Sequence, residues 1–266
     1  MSFSYEELAE IRHYIHQHPE LSGQEYQTTA FLKERLEELG IHVLESGLKT
    51  GLIAEIGSGQ PVVALRADID ALPILEQTNL PYQSQNPGVM HACGHDFHQT
   101  SLLGAAALLK EKEDQLEGTV RLIFQPAEEI SEGASDVLAT GLLEDVQGII
   151  GFHNIPQLKA GQLALNAGAM MAGVEKFKVT VTGVSSHAAR PDLGVDTVTA
   201  VTTMVQNVQL LISRTVSPFE TAVLSITHLD VGSTWNVLPK SGYFEGTIRS
   251  FNPSVQRDLK LSLIHI

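Results

Sequence analysis

The feature that most restricts the fold is an alternation of short β-branched runs with helical segments. Residues 41–44, 51–56, 62–66, 119–124 and 148–152 are rich in Val, Ile and Leu and bounded by Gly and Pro, as strands are. Between them, 97–112 reads as an Ala/Leu-rich helix that Asp96 is expected to cap. Two helices precede the first strand. Ser4 is placed as the N-cap of one, with Glu6 and Glu7 in its first turn and Leu8, Ile11 and Ile15 as its apolar stripe. The other spans 24–39 and closes at Gly40. Strands alternating with helices imply an α/β sheet with helices on its faces, and the unbroken apolar run 148–152 suits an inner strand covered on both sides.

Beyond Met171 the pattern changes. Residues 175–182 alternate as a strand, 195–213 form a long helix, 222–229 and 242–250 are strands, and Asn252-Pro253-Ser254 opens another helix. The order βαββα is most of a split βαβ (ferredoxin-like) sandwich. A hinge is expected in the Gly/Ala/Met segment 168–173, separating a domain over 1–170 from one over 171–260.

The chain of 266 residues carries a formal charge of −14, which argues against a nucleic-acid partner needing a basic face. Its one cysteine cannot close an internal disulfide. The start, from Met1 to Glu7, lacks a basic segment followed by an apolar one, and no run reaches the roughly 18 apolar residues of a membrane span. A cytoplasmic location away from membranes is expected.

Chemistry concentrates in Met90-His91-Ala92-Cys93-Gly94-His95-Asp96-Phe97-His98, where the sole cysteine stands two residues from a histidine. In an extended segment, residues i and i+2 project to one side, so Cys93 and His95 could meet one ion. A lone cysteine is more often a small buried hydrophobe, and a histidine cluster can be a solvated turn. Further metal-type side chains follow other strands: Asp68 and Asp70 after 62–66, Glu128 and Glu129 after 119–124, and His153 after 148–152. In open α/β sheets, ligands bind beyond the carboxyl ends of strands.

These motifs, with RHYIHQHPELSGQE at 12–25, LRADIDALP at 65–73, FQPAEE at 124–129, GFHN at 151–154, SHAARP at 186–191 and WNVLP at 235–239, resemble the aminoacylase and carboxypeptidase superfamily of dinuclear metal hydrolases. Within it they are similar to the N-acyl-amino-acid amidohydrolase branch that includes hippurate and auxin-conjugate hydrolases. The resemblance implies a mixed-sheet catalytic domain with an inserted lid and dimerisation domain. It assigns Cys93, His95, Glu129 and His153 to the metal pair, Glu128 as the catalytic carboxylate and Asp70 as the residue orienting a ligand. His187 matches a lid histidine that stabilises the oxyanion, Asn236 a polar lid contact, and Arg249 a partner for a substrate carboxylate. Asp68 stands where many relatives have a histidine and is not assigned as a ligand.

Adjacent Glu128 and Glu129 suit two jobs at one point, one carboxylate holding metal while the other takes a proton from metal-bound water. Without the resemblance, the pair would read as a solvated acidic turn. Asp96 has a sufficient role as a cap, while His91 or His98 could hydrogen-bond behind the ligands. His13, His16, His18, Glu20 and Glu25 match a motif without a chemical role, and His42 and His228 are expected to be structural.

The implied activity is metal-dependent hydrolysis of N-acetyl or N-benzoyl amino acids, a small-molecule substrate, in a homodimer. The implied cofactors are two divalent ions, zinc or manganese, with cobalt or nickel admissible. N-acetyl-diaminopimelate deacetylation and dipeptide hydrolysis are alternatives the same site could serve, and a noncatalytic metal-binding or dimerising protein is an alternative of another class. Members of the branch continue beyond this chain's last residue, and their continuation carries a final histidine ligand. The last six residues, LSLIHI, read as the translation of a sequencing-adapter end and are expected to be non-native, so His265 is not that ligand; lacking it and part of the core, the 266-residue chain is expected to be inactive.

Overall fold

The computed structural model describes residues 3–265. Contacts divide the chain into two compact units, Met1–Lys159 and Ala160–Ile266. Met1, Ser2 and Ile266, which belong to the expected leaderless start and the expected non-native end, lie outside the described residues.

The first unit begins with α1 (Tyr5–Gln17), entered through a capping box: Ser4 accepts from the Glu7 amide, and the Glu7 carboxylate accepts from the Ser4 N–H. The helix ends at His18, ahead of Pro19, and buries Ile11 and Ile15. α2 (Tyr26–Glu38) buries Leu32 and Leu36, and Gly40 beyond it takes the left-handed φ of 70° that closes such helices. The strands β1 (His42–Val43), β2 (Leu52–Ser58), β3 (Val62–Asp68), β4 (Gly118–Gln125) and β5 (Val146–Gly151) form one mixed sheet in the order β1-β2-β4-β3-β5. β3 runs parallel to both β4 and β5, while β2 is antiparallel to β1 and β4.

Period-two alternation gives each face of the sheet its own core. Leu122 and Phe124 on β4 pack with Ile15, Leu32, Leu36 and Leu103, whereas Ile123 faces the other way with Ile53, Ala64 and Val137. Leu103 belongs to α3 (His95–Lys110) and Val137 to the short α4 (Gly133–Ala139), so helices do cover both faces.

Two local expectations are corrected. α3 starts at His95 on the left-handed Gly94 (φ 87°), and Asp96 is not its cap. The Asp96 side chain turns inward to Arg12 and His16 instead, because a buried carboxylate gains more from two cationic donors than from backbone amides already in a helical turn. The run 148–152 is not an inner strand: β5 is at the sheet edge, and Ile149 and Ile150 are 58% and 69% exposed. An apolar run shows β preference but does not count the neighbours that cover it.

The second unit contains β6 (Gly173–Thr182), β7 (Ser186–His187), α5 (Thr197–Thr215), β8 (Ala222–Val231), β9 (Val237–Leu238), β10 (Ser241–Ser250) and α6 (Pro253–Ile264). β6, β10 and β8 make an antiparallel sheet in that order, and β7 pairs with β9. Asp196 caps α5 and Asn252 caps α6, whose first residue is Pro253. Val201, Val208, Phe244, Ile248 and Leu259 form the core. Among the described residues no helix is long and apolar enough to cross a membrane.

Phe124 is fully buried, so Phe124→Ala is expected to lower the unfolding free energy by about 3–5 kcal/mol, as large-to-small core changes do. Ser4→Ala should cost only about 1 kcal/mol through loss of the cap. Urea unfolding of both variants beside the parent checks the contrast.

Candidate metal centre

Because β3, β4 and β5 are mutually parallel, their carboxyl ends lie at one edge of the sheet. Asp68 is the last residue of β3 and Asp70 follows it. β4 leads through Pro126 and Ala127 to Glu128 and Glu129, and β5 leads to His153 and Asn154. Cys93 and His95 enter at the start of α3. Ala127 adopts a left-handed φ of 49°, uncommon for a residue with a Cβ. Its amide donates to Glu25 Oε1 at 2.8 Å, while Glu25 Oε2 accepts from the Thr50 hydroxyl at 2.8 Å. Gly133 packs against the same turn so closely that a Cβ would lie 1.6 Å from the Pro126 carbonyl oxygen.

His95 is at the middle of the cluster and is buried. Its Nδ1 lies 2.8 Å from the Asp70 carbonyl oxygen and 3.2 Å from Asp70 Oδ1. A carbonyl can only accept, so Nδ1 carries the proton and Nε2 presents a lone pair. His153 is arranged alike: Nδ1 donates to the Asn154 carbonyl at 2.8 Å, and Nε2 faces the Cys93 sulfur at 3.9 Å. Asp70 also accepts from the Ser22 hydroxyl at 2.6 Å and the Glu129 amide at 3.0 Å.

Three donor groups, each within 4.8 Å, converge here: Cys93, His95 and His153; Asp68, His95 and His98; His95, Glu128 and Glu129. The second is internally occupied. Asp68 accepts from Arg66 Nη1 at 2.6 Å and from His98 Nδ1 at 2.6 Å, and His98 Nε2 is taken up by Asn154. In the other two, His95 Nε2 and Glu129 Oε1 are buried without a hydrogen-bond partner among the described residues, 3.7 Å apart. Orphaned buried atoms of this kind call for an ion or water between them. Two donors on one tetrahedral zinc stand about 3.6 Å apart, given Zn–S and Zn–N lengths near 2.3 and 2.0 Å. Thiolate, imidazole and carboxylate donors at these separations fit a divalent cation.

The electrostatics lean the same way. Burial pushes the Cys93 thiol up, and Glu129, Glu128 and Asp68 push it further, to about 12. Burial also raises the Glu128 carboxyl, reinforced by Glu129 and Asp68. Burial acts to raise Asp68 and Asp70 as well, but the His98 and His95 contacts outweigh it and hold both below the usual carboxylate range. A cation among these groups would favour every charged form.

Behind the centre stands a polar layer drawn from the N-terminal motif. Arg12 Nε and His16 Nδ1 both contact Asp96 Oδ2, at 3.0 and 2.9 Å, and His16 Nε2 reaches Glu76 at 3.2 Å. Glu20 accepts from the amides of Gln27 and Thr28 at the start of α2. His13 stacks on Tyr82, and His18 Nδ1 donates to the Tyr14 carbonyl. His91 is buried and pushed down to about 4, chiefly by burial, with neither ring nitrogen hydrogen-bonded among the described residues. His42 is an exposed residue of β1, and His228 on β8 pairs with Glu245.

His187, Asn236 and Arg249 belong to the second unit. His187 is exposed on β7, and its Nδ1 accepts from the Ala189 amide at 3.1 Å, which leaves Nε2 as the protonated nitrogen. Asn236 precedes β9, its carbonyl accepts from the Ala188 amide, and its side chain meets Thr234. Arg249 is exposed on β10. Sequence reasoning missed Ser22, Arg66, Asn154 and the anchoring role of Glu25. Ser22, Glu25 and Asn154 meet partners tens of residues away, whereas Arg66 stands two residues from Asp68; the motifs RHYIHQHPELSGQE, LRADIDALP and GFHN that hold these residues were the usable signals.

The signature of Peptidase family M20/M25/M40 matches residues 64–242. N-acetyl-L-cysteine deacetylase of Bacillus subtilis (strain 168) is 47% identical over 256 residues, covering 96% of this chain and 62% of that protein. N-acyl-L-amino acid amidohydrolase of Geobacillus stearothermophilus is 39% identical over 249 residues, covering 92% of this chain and 67% of that protein. The Bacillus subtilis YXEP protein, a dinuclear metal binding peptidase from the M20 family, superposes with a TM-score of 0.80 at 42% identity, over 96% of this chain and 67% of that one.

Glu25→Ala removes the acceptor for the buried Ala127 amide and the Thr50 hydroxyl; at about 1–3 kcal/mol per orphaned group, a loss of about 2–6 kcal/mol is expected in urea unfolding. Acid titration gives a second check. Burial raises the Asp96 carboxyl, but the His16 hydrogen bond and the charges of His91, Arg12 and His16 hold it down to about 2 from an ordinary 3.8. A carboxyl depressed on folding stabilises above its unfolded value. On the order of 2 kcal/mol is therefore present above about pH 4 and lost as the pH falls toward 2. Asp96→Asn should flatten that limb of the acid-unfolding curve followed by circular dichroism.

Proposed function

Because the chain belongs to peptidase family M20/M25/M40, we propose that it serves metal-dependent hydrolysis of the amide bond of N-acyl amino acids, releasing a carboxylate and a free amino acid. The observation that carries this reading is the pair of buried, unpartnered donors, His95 Nε2 and Glu129 Oε1, beside a half-buried Glu128 whose carboxyl is raised. Support for the substrate class comes from relatives named as an N-acetyl-L-cysteine deacetylase and an N-acyl-L-amino acid amidohydrolase, the first of which this chain matches over 62% of its length.

Cys93, His95, Glu129 and His153 would hold two divalent ions, zinc or manganese, with cobalt or nickel compatible with the same donors. Bound there, the ions would lower the pKa of water and polarise the scissile carbonyl. Glu128 takes the proton from the attacking water and returns it to the departing amine nitrogen, as a free carboxylate beside the metal-holding Glu129 can. Asp70 fixes the His95 ring through Nδ1 and keeps the Nε2 lone pair directed at the donors. Asp70 also holds the Glu129 amide, so the turn carrying both glutamates is set by the same residue.

The second unit supplies the lid, assigned to residues 171–260, through which the protein forms a homodimer. His187 presents a protonated Nε2, the form needed to donate to a tetrahedral oxyanion. Asn236, one strand residue away across β7 and β9, adds a polar contact, and the Arg249 guanidinium suits the substrate carboxylate.

Glu128→Gln is expected to reduce kcat by about 10²–10⁴-fold on N-acetyl and N-benzoyl amino acids while metal content stays unchanged. The assay uses the chain continued to the length of its relatives, before and after chelation and with zinc or manganese restored. Turnover that survives both chelation and Glu128→Gln would refute the reading, and preferential cleavage of dipeptides would move the substrate class.

A further inference from the structure

His98 is fully buried one helical turn after His95, and both of its ring nitrogens are engaged. Nδ1 lies 2.6 Å from Asp68 Oδ1, a carboxylate also held by Arg66, so Nδ1 is the donor. Nε2 therefore carries a lone pair, and it accepts from the Asn154 backbone N–H at 3.0 Å. Asn154 Oδ1 is placed 2.6 Å from the same Nε2, and a lone pair there accepts from this amide only when it is turned about to present its NH2 group. His98 is thus a connector rather than an open metal donor.

The same Asn154 amide also rests on Gly94. One face of it lies over the glycine: a Cβ at Gly94 would come within 2.4 and 2.7 Å of the two terminal amide atoms and 2.8 Å of Cγ. The amide is held between His98 and the turn that joins Cys93 to His95. The same His98 ring meets Phe152 edge-on at 5.2 Å and His153 at 4.6 Å, so it touches three consecutive residues of the segment following β5. His153 is exposed, and its orientation comes from Nδ1 donating to the carbonyl of Asn154.

We propose that His98 is a positioning residue: by clamping Asn154 against the Cys93-Gly94-His95 turn, it holds the exposed His153 with Nε2 facing the Cys93 sulfur. The inference rests on the reading of Cys93, His95 and His153 as a metal-binding group. Its chain of contacts runs from Arg66 and Asp68 through His98 and Asn154 to His153, each link shorter than 3.1 Å. Gln and Asn separate the two ends of the imidazole. A Gln amide reaches roughly where Nε2 sits and keeps the Asn154 contact, whereas an Asn amide reaches roughly where Nδ1 sits and keeps only Asp68.

The test is competition for Zn²⁺ between a chromophoric chelator and the 266-residue chain, in the parent and in His98→Ala, His98→Gln, His98→Asn and Asn154→Ala. Circular dichroism and thermal unfolding confirm that each variant is folded. His98→Ala, His98→Asn and Asn154→Ala are expected to weaken zinc binding by about 10–100-fold, His98→Gln to retain most of it, and the double variant His98→Ala/Asn154→Ala to be no weaker than His98→Ala alone. Parent affinity in a folded His98→Ala or Asn154→Ala, or equal affinity in His98→Gln and His98→Asn, overturns the positioning role and leaves the metal reading intact. Should His98→Ala not fold, Asn154→Ala decides alone. A parent chain that binds no zinc overturns both.

Discussion

Asp70 is the contact on which the site's arrangement depends. Its carboxylate receives the Ser22 hydroxyl, the Glu129 amide and, with its own carbonyl, the His95 ring, so one residue just beyond β3 gathers the α1–α2 connection, the turn after β4 and the start of α3. The Ala71 amide, next in sequence, donates to the Glu20 carbonyl, which ties the strand end to the segment carrying Ser22. Each link is short and buried or partly buried, and loss of any one leaves a polar atom without water to replace it. Parallel strands bring the ends together, but hydrogen bonds to Asp70 determine which side chains face one another.

The charge balance explains why such a cluster needs more than packing. Asp68, Glu128 and Glu129 stand in one cluster with Cys93, Asp70 adjoins it through His95, and among the described residues Arg66 is the one permanent cation paired with them, through Asp68. The chain compensates at the periphery, where Arg12 and His16 neutralise Asp96 and where His98 contacts Asp68. At the centre it does not. The thiol pushed to about 12 and the raised Glu128 are the mark of negative groups crowded without a counter-charge. In the proposed reading divalent ions supply that charge, so binding them and ordering the cluster become one equilibrium.

Features set by near neighbours were legible in the sequence: the Ser4 cap, the Gly40 stop and the positions of the longer strands follow from residues within one or two turns, whereas the two-residue strands β7 and β9 were not read. The donor types after each strand were legible for the same reason, because a strand end is a local event. What stayed hidden depends on register and tertiary neighbours. Arg12 and Asp96 are 84 residues apart, Glu25 and Ala127 102, and His98 lies 30 from Asp68 and 56 from Asn154. Asp96 beside a helix start reads as a cap to any local rule, and only the approach of α1 offers it better partners. The apolar run of β5 reads as an inner strand for a similar reason, since hydrophobicity is a property of the residues and coverage a property of the neighbours. His98 is the sharpest case. Its sequence context, inside a run of metal-type residues, suggests a ligand or an idle neighbour equally well, and its role emerges only when both nitrogens are seen to be spoken for.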